Sequence, residues 1–90
     1  MYFAINHKIH SQSAFWSAIE QIKNNLSILT INYAILPNAA MDEAITIWKA
    51  PSQLIIEQLI EEQTGDFSRN VYLEIDEKNA TVFLHLNLNA

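Results

Sequence analysis

The chain contains no cysteine, one glycine and two prolines among its 90 residues. Without cysteine there is no disulfide, no thiolate nucleophile and no cysteine-ligated zinc or iron–sulfur site. Five lysines and arginines stand against ten aspartates and glutamates, which gives a net charge of −5, and the basic residues are scattered along the chain. Nucleic acids and anionic membranes bind clustered positive charge, so we expect neither as a partner.

Apolar residues are abundant and make up 50% of the chain. The length fits one domain, 1–90, and a chain of this size buries only about 60–65% of the surface that its unfolded form exposes. We therefore expect additional stabilisation from self-association and predict a homodimer. The first eight residues do not resemble a signal peptide, and no apolar run approaches the roughly 20 residues that cross a bilayer, so we expect a cytoplasmic protein without membrane contact.

Hydrophobic periodicity predicts the element order β-α-β-β-α-β. Strands are expected over 2–9, 27–36, 43–49 and 70–76, and helices after Ser11–Ser13 and after Ser52, ending near Asn25 and Thr64. This order is that of a ferredoxin-like α+β domain, with a four-stranded antiparallel sheet and two helices on one face. Alternation over 81–89 predicts an additional C-terminal strand.

The second predicted helix has clear boundary signals. Pro51 cannot donate to a strand ladder and Ser52 can cap the helix that follows. Gly65, the one glycine, is expected to end that helix in a left-handed conformation. The residues expected to face the core are Leu54, Ile55, Ile56, Leu59 and Ile60.

Alternation within the strands assigns residues to the two faces of the sheet. The face under the helices is expected to carry Phe3, Ile5, Leu29, Ile31, Tyr33, Ile35, Ile45, Ile47, Val71, Leu73 and Ile75. The other face then carries two aromatic residues, Trp48 and Tyr72, with the polar Asn32 and Thr46. Such a face is typical of a dimer that packs sheet against sheet around a cavity, so these four residues are predicted to bind a small ligand there.

Two alternatives place an enzyme active site or a metal-binding site in the same cavity. Glu74 and His7 are the candidate catalytic residues, as proton acceptors of a cofactor-independent monooxygenase or isomerase. His7 and His10 are the candidate ligands of a transition metal, although residues three apart on a strand point to opposite faces. No nucleotide-binding, serine-hydrolase or zinc-protease motif is present, and we expect no cofactor.

The run 44–52, followed by a helix, Thr64-Gly65 and the strand 70–76, resembles half of a family of small bacterial ferredoxin-like proteins. In that family a strand ending in Ala-Pro-Ser leads through a helix and a glycine to a last strand. The resemblance implies a dimeric α/β barrel and, for the nickel-binding members, a metal held by histidines. His7 and His10 match their first strand loosely, whereas Glu61 and Glu62 lie where those members carry a histidine near the end of the second helix.

Overall fold

A computed structural model describes residues 1–80. Its elements are β1 (Tyr2–Ile9), α1 (Gln12–Asn24), β2 (Ile31–Pro37), β3 (Glu43–Lys49), α2 (Gln53–Thr64) and β4 (Ser68–Ile75). The strands form one antiparallel sheet in the order β2-β3-β1-β4, and the two helices cover one face of it. This arrangement is the predicted ferredoxin-like α+β fold. The C-terminal strand predicted over 81–89 lies outside the described residues.

The two helices bury narrow stripes against the sheet. The buried side chains are Phe15, Ala18, Ile19 and Ile22 of α1 and Ile56, Ile60 and Thr64 of α2. The expected inward direction of Leu54 and Ile55 is wrong, because they are 64% and 44% exposed. Positions four apart lie on one side of a helix, so the stripe through 56, 60 and 64 leaves 54 and 55 turned away from the sheet.

Two boundary predictions also differ from the structure. The second strand begins at Ile31 rather than at residue 27, because Ser27 starts a turn in which its carbonyl accepts from the amide of Thr30 at 3.1 Å. Gly65 has a right-handed conformation with φ −58°. Glycine is needed there because the backbone of Glu61 lies close by: a Cβ at Gly65 would lie 2.6 Å from the carbonyl oxygen of Glu61. Ser52 caps α2 as predicted, since its hydroxyl accepts from the amide of Ile55 at 3.2 Å.

The side chains of β3 point in the direction opposite to the prediction. Phe3 and Ile5 of β1 lie under the helices as expected, and they stand opposite Trp48 and Thr46 in the antiparallel register. Directly opposite residues share a face, so Trp48 and Thr46 lie under the helices too, and both are 0% exposed. Ile45, expected in the core, is 44% exposed on the other side.

The same reversal holds for β4. Tyr72 stands opposite Ile5 and Glu74 stands opposite Phe3, so both belong to the helix-covered face. Val71 and Leu73, expected under the helices, are 60% and 66% exposed.

A β-bulge divides β2 between Asn32 and Ala34 and leaves Tyr33 as the additional residue. Asn32 stands opposite Trp48, not on the outer face as predicted, and its side-chain amide donates to the backbone carbonyls of Ala34 and Ile47. Beyond the bulge, Ile35 stands opposite Thr46 and does lie on the helix-covered side, as expected. Tyr33, expected in the core, is 54% exposed.

The reversal has a physical reason. Both faces of β3 and β4 carry apolar residues, so alternation alone leaves the choice open. Trp48 offers the largest apolar area in β3, and burying it stabilises the fold more than burying Ile45 or Ile47. The polar residues buried together with Trp48 would oppose this burial, but they satisfy one another through hydrogen bonds.

We call the surface away from the helices the open face. It consists of Tyr2, Ala4, Asn6, Lys8, Ile31, Tyr33, Ala34, Leu36, Glu43, Ile45, Ile47, Lys49, Arg69, Val71, Leu73 and Ile75.

Candidate functional site

Two features of the domain could carry function: a buried polar network under the helices and the open face. The network is centred on His7, whose ring lies 5.1 Å from the ring of Phe15 and is 0% exposed. Its Nδ1 lies 2.7 Å from Oδ1 of Asn70, and its Nε2 lies 2.7 Å from Oγ1 of Thr46. Both ring nitrogens of His7 are therefore engaged by neighbouring strands.

The directions of these hydrogen bonds fix the tautomer of His7. Oδ1 of Asn70 can only accept, so Nδ1 of His7 carries the proton and donates it. The hydroxyl oxygen of Thr46 accepts from Nε1 of Trp48 at 2.6 Å and lies 2.7 Å from Nε2 of His7. Burial lowers the pKa of His7, more than the Asn70 bond and the charge of Glu61 raise it, which favours the neutral ring. Nε2 then carries no proton and accepts the hydroxyl proton of Thr46.

The network continues from Asn70 to the protein surface. The side-chain amide of Asn70 donates to Oε2 of Glu61 at 2.7 Å and to Oγ1 of Thr64 at 3.1 Å. Tyr72 donates its hydroxyl proton to the same carboxylate oxygen of Glu61 at 2.5 Å. Burial first, and then the bond to Glu61, raise the pKa of Tyr72. Glu61, an exposed residue of α2, thereby ties the edge strand β4 to the helix above it.

This network is closed to ligands. Every buried side-chain polar atom in the described part of the chain has a hydrogen-bond partner, and His7 exposes no surface. A substrate has no route to Nε2 of His7, so the catalytic role predicted for it has no geometry to support it here. Glu74, the other candidate, is exposed on β4 and does not face the open side of the sheet.

The two histidines proposed as metal ligands do not meet at one site. Thr46 and Asn70 occupy both ring nitrogens of His7, whereas His10 is exposed just beyond the end of β1. Within residues 1–80, no group of three or more histidine, aspartate or glutamate side chains is placed to hold a metal ion. The nickel-binding role that the family resemblance implies stays a prediction from sequence.

The open face is the accessible candidate site, and it is strongly apolar. Among residues 1–80, twelve large hydrophobic residues are exposed, and six of them belong to the open face: Ile31, Tyr33, Leu36, Ile45, Val71 and Leu73. They lie on β2, β3 and β4. Between β3 and β4, β1 contributes Ala4 and Asn6 to this face, and Ala4, which stands opposite both Ile47 and Leu73, continues the apolar surface across the sheet. Contiguous apolar patches of this kind mark interaction sites on soluble domains.

A groove of about 610 Å³ crosses one end of the open face. Its lining comprises Tyr2, Tyr33, Ala34, Ile47, Ile75, Glu77 and Ala80. The rings of Tyr2 and Tyr33 meet at a centroid distance of 5.7 Å, and Nζ of Lys49 lies 5.6 Å from the centre of the Tyr2 ring. The groove thus offers aromatic and aliphatic surface with a cation at its border, which suits an apolar small molecule.

The predicted ligand-binding residues are therefore separated from the accessible site. Trp48, Thr46 and Tyr72 lie on the helix-covered side, and Asn32 is used within the β2 bulge. Tyr2 and Tyr33, which line the groove, were missed as site residues. The bulge that turns Tyr33 outward has no marker in the sequence, such as a glycine, that would have revealed it.

Comparison of the chain with protein-family models, with curated proteins and with solved structures finds no match. None of the helices in residues 1–80 is long and apolar enough to cross a membrane. The physical chemistry of the two faces of the sheet is accordingly the basis for a functional assignment.

Proposed function

We propose that this protein is a homodimeric binding module in which two copies pack their open faces together and enclose an apolar small molecule in the groove. The observation that carries the proposal is the contiguous apolar surface on the open face. Val71 and Leu73, at 60% and 66% exposure, are its most prominent members. The cytoplasm, predicted from the sequence, stays the proposed location.

The size of the open face suits a second copy of the chain. Four strands spaced about 4.8 Å apart, each contributing about seven residues at 3.3 Å, define a plane of roughly 450 Å². Two such planes amount to roughly 900 Å² before side-chain relief is counted, and that relief brings the area toward the ~1,000 Å² that a specific interface should at least bury. The whole open face, rather than one corner of it, is needed for a stable contact.

Burial energetics favour the same arrangement. Full burial of a leucine side chain stabilises by about 1.5–3 kcal/mol, so covering the 66% of Leu73 that is exposed would contribute about 1–2 kcal/mol per copy. In a dimer with two-fold symmetry, each such burial contribution to the binding free energy occurs twice. The interior of so small a domain is limited, which makes this additional burial valuable.

Replacing Leu73 with glutamate tests the dimer. Leu73→Glu places two charges in the proposed interface and removes two apolar contacts, so we expect the dissociation constant to rise by at least thirtyfold, from about 2 kcal/mol of lost burial. Light scattering at a series of concentrations would report the mass, which is 10.3 kDa for a single chain.

Leu54→Glu is the matched control. Leu54 is 64% exposed, nearly the same as Leu73, but it lies on α2, on the other side of the molecule. The proposal requires Leu54→Glu to remain dimeric under conditions that dissociate Leu73→Glu. A parent protein that is monomeric at millimolar concentration, or equal effects of the two substitutions, would refute it.

A further inference from the structure

The charges of the chain are distributed unevenly between the two faces of the sheet. Three of the five basic residues, Lys8, Lys49 and Arg69, belong to the open face, although they are far apart in sequence. Of the ten acidic residues, Glu43 is the one on the open face, and Glu77 borders its groove. A chain with a net charge of −5 therefore presents its apolar face with a local excess of positive charge.

Two of these cations stand side by side. Lys8 and Arg69 are directly opposite each other on β1 and β4. In the described part of the chain the one ion pair within 4.0 Å joins Lys23 and Glu20, so no carboxylate lies within that distance of Lys8 or Arg69, although Glu43 stands directly opposite Lys8 on β3. Like charges directly opposite on adjacent strands are destabilising. A recess of about 280 Å³ is lined by Lys8, Arg69, Asn6 and Val71.

An apolar path connects this recess with the groove. The open-face residues of β4 run in the order Arg69, Val71, Leu73 and Ile75, and Ile75 lines the groove. Six residues of extended strand span about 20 Å. A cationic end, an apolar middle and an aromatic far end are thus aligned along one edge of the open face.

We propose that the recess at Lys8 and Arg69 binds the carboxylate of an aliphatic carboxylic acid whose chain lies between the two copies, along Val71 and Leu73 toward the groove. This inference rests on the proposed function and names its ligand class. The planar guanidinium of Arg69 can donate two parallel hydrogen bonds to a carboxylate, and Lys8 supplies a second charge beside it. Binding of the anion relieves the repulsion between the two cations.

Calorimetric titration with dodecanoate and with dodecanol tests the inference, because the two probes share a chain and differ in charge. We expect the parent protein to bind dodecanoate at least tenfold more tightly than dodecanol, and this preference to shrink as salt is added. In the Lys8→Gln/Arg69→Gln variant the affinity for dodecanoate should fall at least tenfold while that for dodecanol is unchanged. Lys23→Gln, which removes a cation from α1, should bind both probes as the parent does.

The outcomes separate the two proposals. Equal affinity of the parent for dodecanoate and dodecanol overturns the carboxylate site but leaves an apolar binding module. Unchanged dodecanoate affinity in the double variant also overturns it, and a simultaneous loss of dimer would then assign the two cations to contacts between copies. If neither probe binds and the parent is monomeric, both proposals fail.

Discussion

Thr46→Val is the sharpest test of the buried network. The hydroxyl of Thr46 accepts from Nε1 of Trp48 at 2.6 Å and donates to Nε2 of His7. Valine has nearly the same shape but no polar atom, so the substitution leaves one buried donor and one buried acceptor without partners. Each unpaired buried group costs about 1–3 kcal/mol, and we expect a total loss of about 2–5 kcal/mol in the free energy of unfolding.

A loss of this size is a large fraction of the stability of a small domain. Chains of this length have unfolding free energies of roughly 5–13 kcal/mol. Urea denaturation followed by tryptophan fluorescence at a fixed protein concentration would measure it. With a slope of about 1–2 kcal/mol per molar urea, the midpoint should fall by at least 1 M. The concentration is fixed because the apparent stability of a dimer depends on protein concentration.

Thr30→Val supplies the comparison. Thr30 is 5% exposed, and within residues 1–80 its hydroxyl has no protein partner; because every enclosed side-chain polar atom there is paired, this hydroxyl is the part of Thr30 that water reaches. The same chemical change there should alter the unfolding free energy by less than about 1 kcal/mol. A Thr46→Val variant as stable as Thr30→Val would show that the hydrogen bonds of Thr46 do not support the burial of Trp48 and His7.

Two further substitutions probe the fold through pH and helix capping. The folded-state pKa of His7 lies below its usual 6.5, so the unfolded chain takes up the proton first. Stability should then fall with pH below about 6.5, by up to about 1.4 kcal/mol per pH unit. Urea midpoints measured between pH 5 and 8 should depend less on pH in His7→Gln than in the parent protein, and an unchanged dependence would contradict the role assigned to His7. Ser52→Ala should lower the free energy of unfolding by about 1 kcal/mol in the same assay. Ser11→Ala should lower it less, because the side chain of Ser11 makes no capping bond. Equal losses would contradict the capping role of Ser52.

The order of elements could be predicted from sequence because each boundary has a local cause. Pro51 and Ser52 separate β3 from α2, and alternation over 2–9 defines β1 with its correct inward residues. These signals act within a few residues and do not depend on what lies across the sheet.

The assignment of faces in β3 and β4 could not be predicted in the same way. A strand such as 43–49, with isoleucines on one side and tryptophan on the other, satisfies alternation in either orientation. The outcome depends on hydrogen bonds among His7, Thr46 and Asn70, which come from three different strands. No local pattern indicates such a set of partners, so the sequence assigned Trp48, Thr46 and Tyr72 to the face opposite to the one on which the structure places them.

The interaction surface follows from that reversal. With Trp48 inside, the isoleucine, valine and leucine side chains of β3 and β4 remain on the open face. Lys8 and Arg69 are brought together only by the sheet, because about sixty residues separate them in sequence, whereas Lys49 lies at the groove end of the open face. Scattered basic residues in the sequence are thus consistent with a local positive region in the fold.

The most direct test of the central claim uses the absence of cysteine. Ala4→Cys places a single thiol at the middle of the open face, between Ile47 and Leu73, and Ala14→Cys places one at a comparably half-buried alanine on α1. If two copies pack their open faces, maleimide labelling at position 4 should slow as protein concentration rises, while labelling at position 14 stays constant. A rate at position 4 that does not depend on concentration would contradict the account.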